Sequence, residues 1–153
     1  MQLSKNFTLS ELIKSDIALR TGIDNTPDSS LIINLTALVN NILQPIRDHY
    51  NKPIIVNSGY RSPIINKKIG GSPTSDHCRG MAADIIIHGV DNYLLASWVK
   101  DNLKFKQVIL EFYNKSDNSG WVHVSYDKAN LKCQSLTAFK INGKTMYKEG
   151  LII

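Results

Sequence analysis

Apolar positions recur along the chain at two periods. Leu31, Leu35, Leu38, Val39, Ile42, Leu43 and Ile46 return at helical spacing. They predict one principal amphipathic helix, with Asp28 or Ser29 as its cap and a kink or end at Pro45. Leu94, Leu95, Trp98 and Val99 form the stripe of a second helix over Asp91 to Leu103. Before the first helix, residues 1–27 read as a short helix and a loop. Thr8 and Glu11 have the spacing of a capping box. His49 sits near a helix C-terminus, where a structural role is expected.

Strand signals occupy the rest. Lys52-Pro53 opens a strand at Ile54-Ile55-Val56, and Ser58 to Pro63 is a turn. Ile64 to Ile69 reads as a helical turn closed by Gly70-Gly71. Ala82 to Ile87 is a buried strand ended by His88-Gly89. Gln107 to Phe112 and Trp121 to Tyr126 form a hairpin across the turn-rich Asn114 to Gly120. Leu136 to Ile153 adds a last strand pair through the Asn142-Gly143 turn. The expected fold class is α+β: a small, mostly antiparallel sheet with helices packed on one side.

Composition narrows the class. The 153 residues, 42% hydrophobic, predict a single domain over 1–153. No run of about 18 apolar residues is present, so no membrane span is expected. The N-terminus lacks the apolar region of a signal peptide, so a product made in the cytoplasm is expected. Net charge is +5 and the pI is 9.2. That balance fits a solvated surface, or attraction to nucleic acid or an anionic cell wall. No nucleic-acid motif accompanies it. Two cysteines, Cys78 and Cys133, are too few for a disulfide framework.

Candidate chemistry gathers between Val56 and Ile87 and at Trp121 to Ser125. His77, Asp84 and His123 make a two-His, one-carboxylate set, the ligand set of a catalytic zinc with a fourth position open. Seven residues separate His77 from Asp84, about 10.5 Å of rise on a straight helix. The chain must therefore fold back, and Cys78-Arg79-Gly80 is where it turns. Asp84 lies in an apolar strand, where an unpaired carboxylate is expensive to bury. A cation offsets that cost; a salt bridge to Arg61 or Arg79 is the alternative. Cys78, beside His77, is a further candidate ligand. Val122 and Val124 should face the core, which puts His123 on the other face. Glu111 shares that face if the hairpin pairs in register, with Leu110 and Phe112 on either side of it facing the core, which makes it the candidate general base. Asp117, in the loop, is its rival. Arg61 follows a Gly-Tyr turn at a strand end, where binding residues tend to sit.

S-G-Y-R-S at Ser58 to Ser62, S-x-H-x-x-G-x-A-x-D at Ser75 to Asp84, and W-V-H at Trp121 to His123 resemble the zinc D-Ala-D-Ala carboxypeptidase family of peptidoglycan peptidases. That family includes the vancomycin-resistance dipeptidases. F-T-L-S-E-L, I-D-N-T-P and L-Q-P-I-R are similar to its single-domain, phage-associated branch. The resemblance covers residues 7 to 126. It implies a zinc ion, Zn2+, on His77, Asp84 and His123. It also implies substrate binding by Ser75, Arg61 and Tyr60, with Arg61 holding a carboxylate or polarising a carbonyl. Several relatives carry an acidic residue or a His a few positions before the last ligand, where this chain has Gly120, Trp121 and Val122.

The resulting expectation is a zinc metallopeptidase that hydrolyses peptidoglycan stem peptides next to a D-residue, as a carboxypeptidase or an endopeptidase. The expected partner is the stem peptide, with no nucleic acid and no membrane, and the protein is expected to be a monomer. It would act on the cell wall, released by phage lysis or carried on a virion. The alternative is a non-catalytic cell-wall-binding module with the same fold.

Overall fold

A computed structural model describes residues 1–153. Two short strands, β1 (Gln2–Ser4) and β2 (Phe7–Thr8), pair ahead of the helices α1 (Leu9–Ile13) and α2 (Asp16–Thr21). Thr8 precedes α1, but its hydroxyl bonds the Glu11 carboxylate at 3.2 Å rather than a backbone N–H, so the capping box is incomplete. The main helix runs as α3 (Ser29–Leu38), a wide π turn (Val39–Leu43) and α4 (Gln44–Tyr50). The Asp28 side chain caps it by accepting from Leu31 N–H. Pro45 neither ends the helix nor breaks it. It follows the π turn, where Gln44 N–H reaches back to the Val39 carbonyl, and this widening lets the helix continue past a residue with no N–H. Leu35, Leu38, Val39, Ile42, Leu43 and Ile46 are wholly buried, as their spacing requires.

Strand β3 (Ile55–Ser58) starts one residue later than its apolar run, and α5 (Pro63–Lys68) follows. A single 3₁₀ turn (Asp76–Arg79) leads into β4 (Ala82–Ile86). Next come α6 (Asn92–Asn102), β5 (Gln107–Asn114), β6 (Ser119–Ser125), β7 (Gln134–Ile141) and β8 (Lys144–Glu149). In α6 the core stripe is Leu95, Ala96 and Val99; Leu94 is 59% exposed, one position off the buried face. His49 stacks on Trp98 with ring centroids 4.4 Å apart.

The six strands of the main sheet lie in the order β3-β4-β6-β5-β7-β8. All pairs are antiparallel except β5 with β7. One face carries Ala83, Ile85, Val108, Leu110, Val122 and Val124, all fully buried in the core shared with the main helix and α6. The fold is thus α+β, a mostly antiparallel sheet with helices on one side. The opposite face holds the site.

Two readings of the β5–β6 hairpin need correction. Its loop is short, because both strands extend to Asn114 and Ser119. Phe112 does not face the core. The pairing shifts after Glu111, Phe112 takes φ 55°, and its ring meets Trp121 edge-on at 5.4 Å. A bulge of this kind re-aims one side chain and stops strict alternation.

Candidate metal centre

Asp84 and His123 are direct cross-strand partners on β4 and β6. Opposed residues bring their side chains together, and His123 Nδ1 lies 3.0 Å from Asp84 Oδ1. His77 arrives from the 3₁₀ turn. Its Nδ1–H donates to the Gly59 carbonyl at 2.7 Å, which leaves Nε2 free, 3.4 Å from Asp84 Oδ2. Backbone carbonyls commonly orient metal-binding imidazoles in this way. Gly59 is itself wedged against the Leu12 carbonyl, where any Cβ would collide. The fold-back between His77 and Asp84 is made by the 3₁₀ turn and Gly80, whose φ of 67° suits glycine.

Donor atoms of His77, Asp84 and His123 all lie within 4.8 Å of one another. Tetrahedral ligands at about 2.0–2.2 Å from a metal stand roughly 3.4 Å apart. The set therefore fits a four-coordinate ion with small side-chain adjustments. Two imidazoles and one carboxylate also match the chemistry of such a site. Cys78 is no part of this group, and both cysteines are free. Neither arginine pairs with Asp84: Arg79 bonds Asp76 and Asp127 instead.

Burial by itself raises the Asp84 carboxyl. The hydrogen bonds and charges of His123 and His77 outweigh it and hold the group well below the usual carboxylate range. Burial works against charge on His123, but the bond to Asp84 and the nearby carboxylates push its pKa up.

Glu111 stands opposite Trp121, two cross-strand pairs along from Ile109 and His123. It shares the face of His123, with Oε1 3.7 Å from His123 Nδ1. Burial, and then the negative charge of Asp84, push its carboxyl up to about 7. Asp117 is exposed, accepts from Ser119 N–H in the loop, and lies outside the groove.

The groove over these residues has a volume of about 600 Å³. Arg61 and Ser75 line it. Burial pulls the Arg61 pKa down, against the attraction of Asp84. Its Nε is buried without a partner, and Nη2 makes only a long contact, 3.5 Å, to Ser75 Oγ. An orphaned guanidinium donor beside carboxylates is what an incoming acceptor would satisfy. Ser75 also accepts from His77 N–H, so it holds the 3₁₀ turn as well. Tyr60 is different. Its side chain is 5% exposed and packs in the hydrophobic core, so it does not line the groove. The backbone holds the two residues against different partners: Tyr60 N–H donates to the Leu12 carbonyl at 2.7 Å, and Arg61 N–H donates to the His77 carbonyl at 3.2 Å.

Three features escaped sequence reasoning. Asp76 pairs with Lys106 at 2.9 Å and ties the His77 turn to the start of β5. The indole N–H of Trp121 is near enough to Glu111 to favour its ionised form, without a well-formed hydrogen bond. Tyr147, from β8, lines the groove. Only Asp76, adjacent to His77, had a local signal; the others depend on strand order.

The sequence model of the Peptidase M15 family matches residues 5–125, which span the metal cluster, Arg61, Ser75 and Glu111. No curated protein matches the chain. The matched residues make up most of the chain and include the whole His-Asp-His cluster, so the protein belongs to the Peptidase M15 family of metallopeptidases, with His77, Asp84 and His123 as its candidate metal site.

Proposed function

We propose that the protein is a zinc peptidase that cuts peptidoglycan stem peptides next to a D-residue. The observation that carries this reading is the convergence of His77, Asp84 and His123 within 4.8 Å, with Glu111 and Arg61 on the same groove. That arrangement supports a reading in which a metal site, a base and a carboxylate-binding fork share one groove.

Zinc held by the three ligands would act as a Lewis acid towards the scissile carbonyl and make water more acidic. Glu111 takes the proton from the attacking water on a carboxylate oxygen and delivers it to the leaving amine nitrogen. A pKa near 7 suits both halves of that transfer. Arg61 offers its uncommitted donors to the substrate carboxylate or carbonyl, and its planar fork favours a two-point contact. The Ser75 hydroxyl donates to the peptide from the groove wall. Trp121 limits water around Glu111.

Similarity to the single-domain phage-associated branch supports a role in wall degradation, at phage lysis or from a virion. A basic surface favours approach to an anionic wall. We read residues 1–153 as one catalytic domain acting as a monomer, with no nucleic acid or membrane partner.

Mass spectrometry of purified muropeptides, digested with and without chelator, tests this. New products that vanish on chelation and return with zinc are expected, and their masses separate carboxypeptidase from endopeptidase. Binding without cleavage would make the protein a wall-binding module instead. Metal analysis of His77→Ala should show loss of zinc; a variant that kept full zinc content would overturn the ligand set.

A further inference from the structure

The C-terminal hairpin lies beyond the residues that the family pattern matches, yet it reaches the groove. Its position follows from register. Trp121 pairs with Glu111, Glu111 with Ala138, and Ala138 with Tyr147. These four residues form one row across β6, β5, β7 and β8, on the face that carries His123. Two strand spacings separate Tyr147 from Glu111, about 10 Å between backbones. The residue between them is Ala138, which is small and only 1% exposed, so neighbouring side chains close over it; a tyrosine side chain is long enough to span most of that distance. Thr145, two residues from Tyr147 and on the same face, also lines the groove.

The hairpin is firmly registered. Asn142 and Gly143, with φ of 50° and 77°, make the tight turn. Gln107 Nε2 donates to Gln134 Oε1 at 2.7 Å, and Gln134 Nε2 donates to Glu149 Oε1 at 2.8 Å. This amide relay runs from the site strand β5 to β8. A floppy edge strand would have no such tie. Tyr147 itself is 56% exposed, so its ring is not spent on the core. After burial, the carboxylates that act on its phenol are Glu111 and Asp84, which puts it within their electrostatic reach.

The other end of the groove belongs to Arg61, which follows β3 at the opposite edge of the sheet. The site residues on β4, β6 and β5 lie between the two. A peptide across the groove therefore meets Arg61 on one side of the reacting bond and the hairpin on the other.

We propose that Tyr147 is a substrate-contact residue that sets which peptide the groove accepts, holding the part of the peptide on the far side of the scissile bond from Arg61. The phenol hydrogen-bonds the peptide backbone, and the ring packs on the neighbouring substrate side chain. The inference rests on the peptidase reading of the groove.

Steady-state kinetics on purified muropeptides test it, with wild type, Tyr147→Phe and Tyr147→Ala compared on each stem peptide. Tyr147→Ala should raise KM about 10-fold, the loss of roughly 1.4 kcal/mol of binding, with kcat within about twofold. Tyr147→Phe, which keeps the ring, should fall between. Zinc content and Tm should match wild type in both. Unchanged KM for every stem peptide overturns the proposal. So does a change confined to kcat, or a loss of zinc or of fold in Tyr147→Ala. A wild-type protein that cuts none of the muropeptides overturns the proposed function and this inference with it, whereas a cutting wild type with an unaltered Tyr147→Ala overturns the inference alone.

Discussion

Glu111 shows how much one residue depends on its surroundings. On an exposed strand it would be an ordinary surface carboxylate. Here it is half-buried beside Asp84 and His123, and burial and the charge on Asp84 push its carboxyl up to about 7. Glu111→Gln keeps the volume and removes the proton acceptor. Zinc content should stay at the wild-type level while kcat falls by about 100-fold or more, measured by muropeptide turnover. Wild-type turnover in that variant would remove Glu111 from the chemistry. Arg61 makes a parallel case. Arg61→Lys keeps a charge but loses the fork. The protein should fold normally, since Arg61 forms no salt bridge to Asp84, and lose activity by roughly 10-fold or more, the equivalent of about 1.4 kcal/mol. Circular dichroism beside the activity assay separates the two effects.

Among the elements, the hairpin β7–β8 and the long helix solve local problems differently. The helix meets Pro45 by widening to a π turn and continues unbroken to Tyr50. The hairpin depends on a two-residue turn with both residues at positive φ. Gly143 has open space around it, so an added methyl would meet nothing; its φ of 77° is the constraint. Gly143→Ala should therefore cost about 1–2 kcal/mol through backbone strain alone. For a chain of this length that lowers Tm by roughly 2–8 °C. A melt monitored by circular dichroism checks it, and an unchanged Tm would mean the turn has another form in solution.

At the scale of the whole molecule, the sheet order decides what the groove contains. β4 and β6 are neighbours, so Asp84 and His123 pair directly although 39 residues separate them. The 3₁₀ turn, held by the Asp76–Lys106 ion pair, brings His77 over them. A buried carboxylate and two imidazoles favour a bound cation, and any ion that binds only the folded state adds stability. At free zinc about 1,000-fold above its Kd that gain is about 4 kcal/mol, or roughly 10 °C in Tm. Calorimetry should show Tm falling on chelation and recovering with zinc but not with magnesium, whose oxygen preference this site does not meet. Insensitivity of Tm to both would deny a metal site here.

The amino-acid sequence by itself determined most of the elements and the candidate ligands. Periodicity marked the main helix, the buried strand around Asp84 and the turn at Asn142-Gly143, because those signals are local. It also put His77, Asp84, His123 and Glu111 forward, since a carboxylate in an apolar strand and a His alternating with valines stand out without any fold. Tertiary structure alone decided the rest. Tyr60 and Arg61 are adjacent and equally plausible in sequence, yet one packs in the core and the other lines the groove. Phe112 left the core face because a bulge shifted the register after Glu111. Tyr147 came to the site because β7 pairs with β5 in parallel, across a connection that carries no mark of its destination. Pairing between distant strands is set by the packing of the whole sheet, so no local pattern could have announced it.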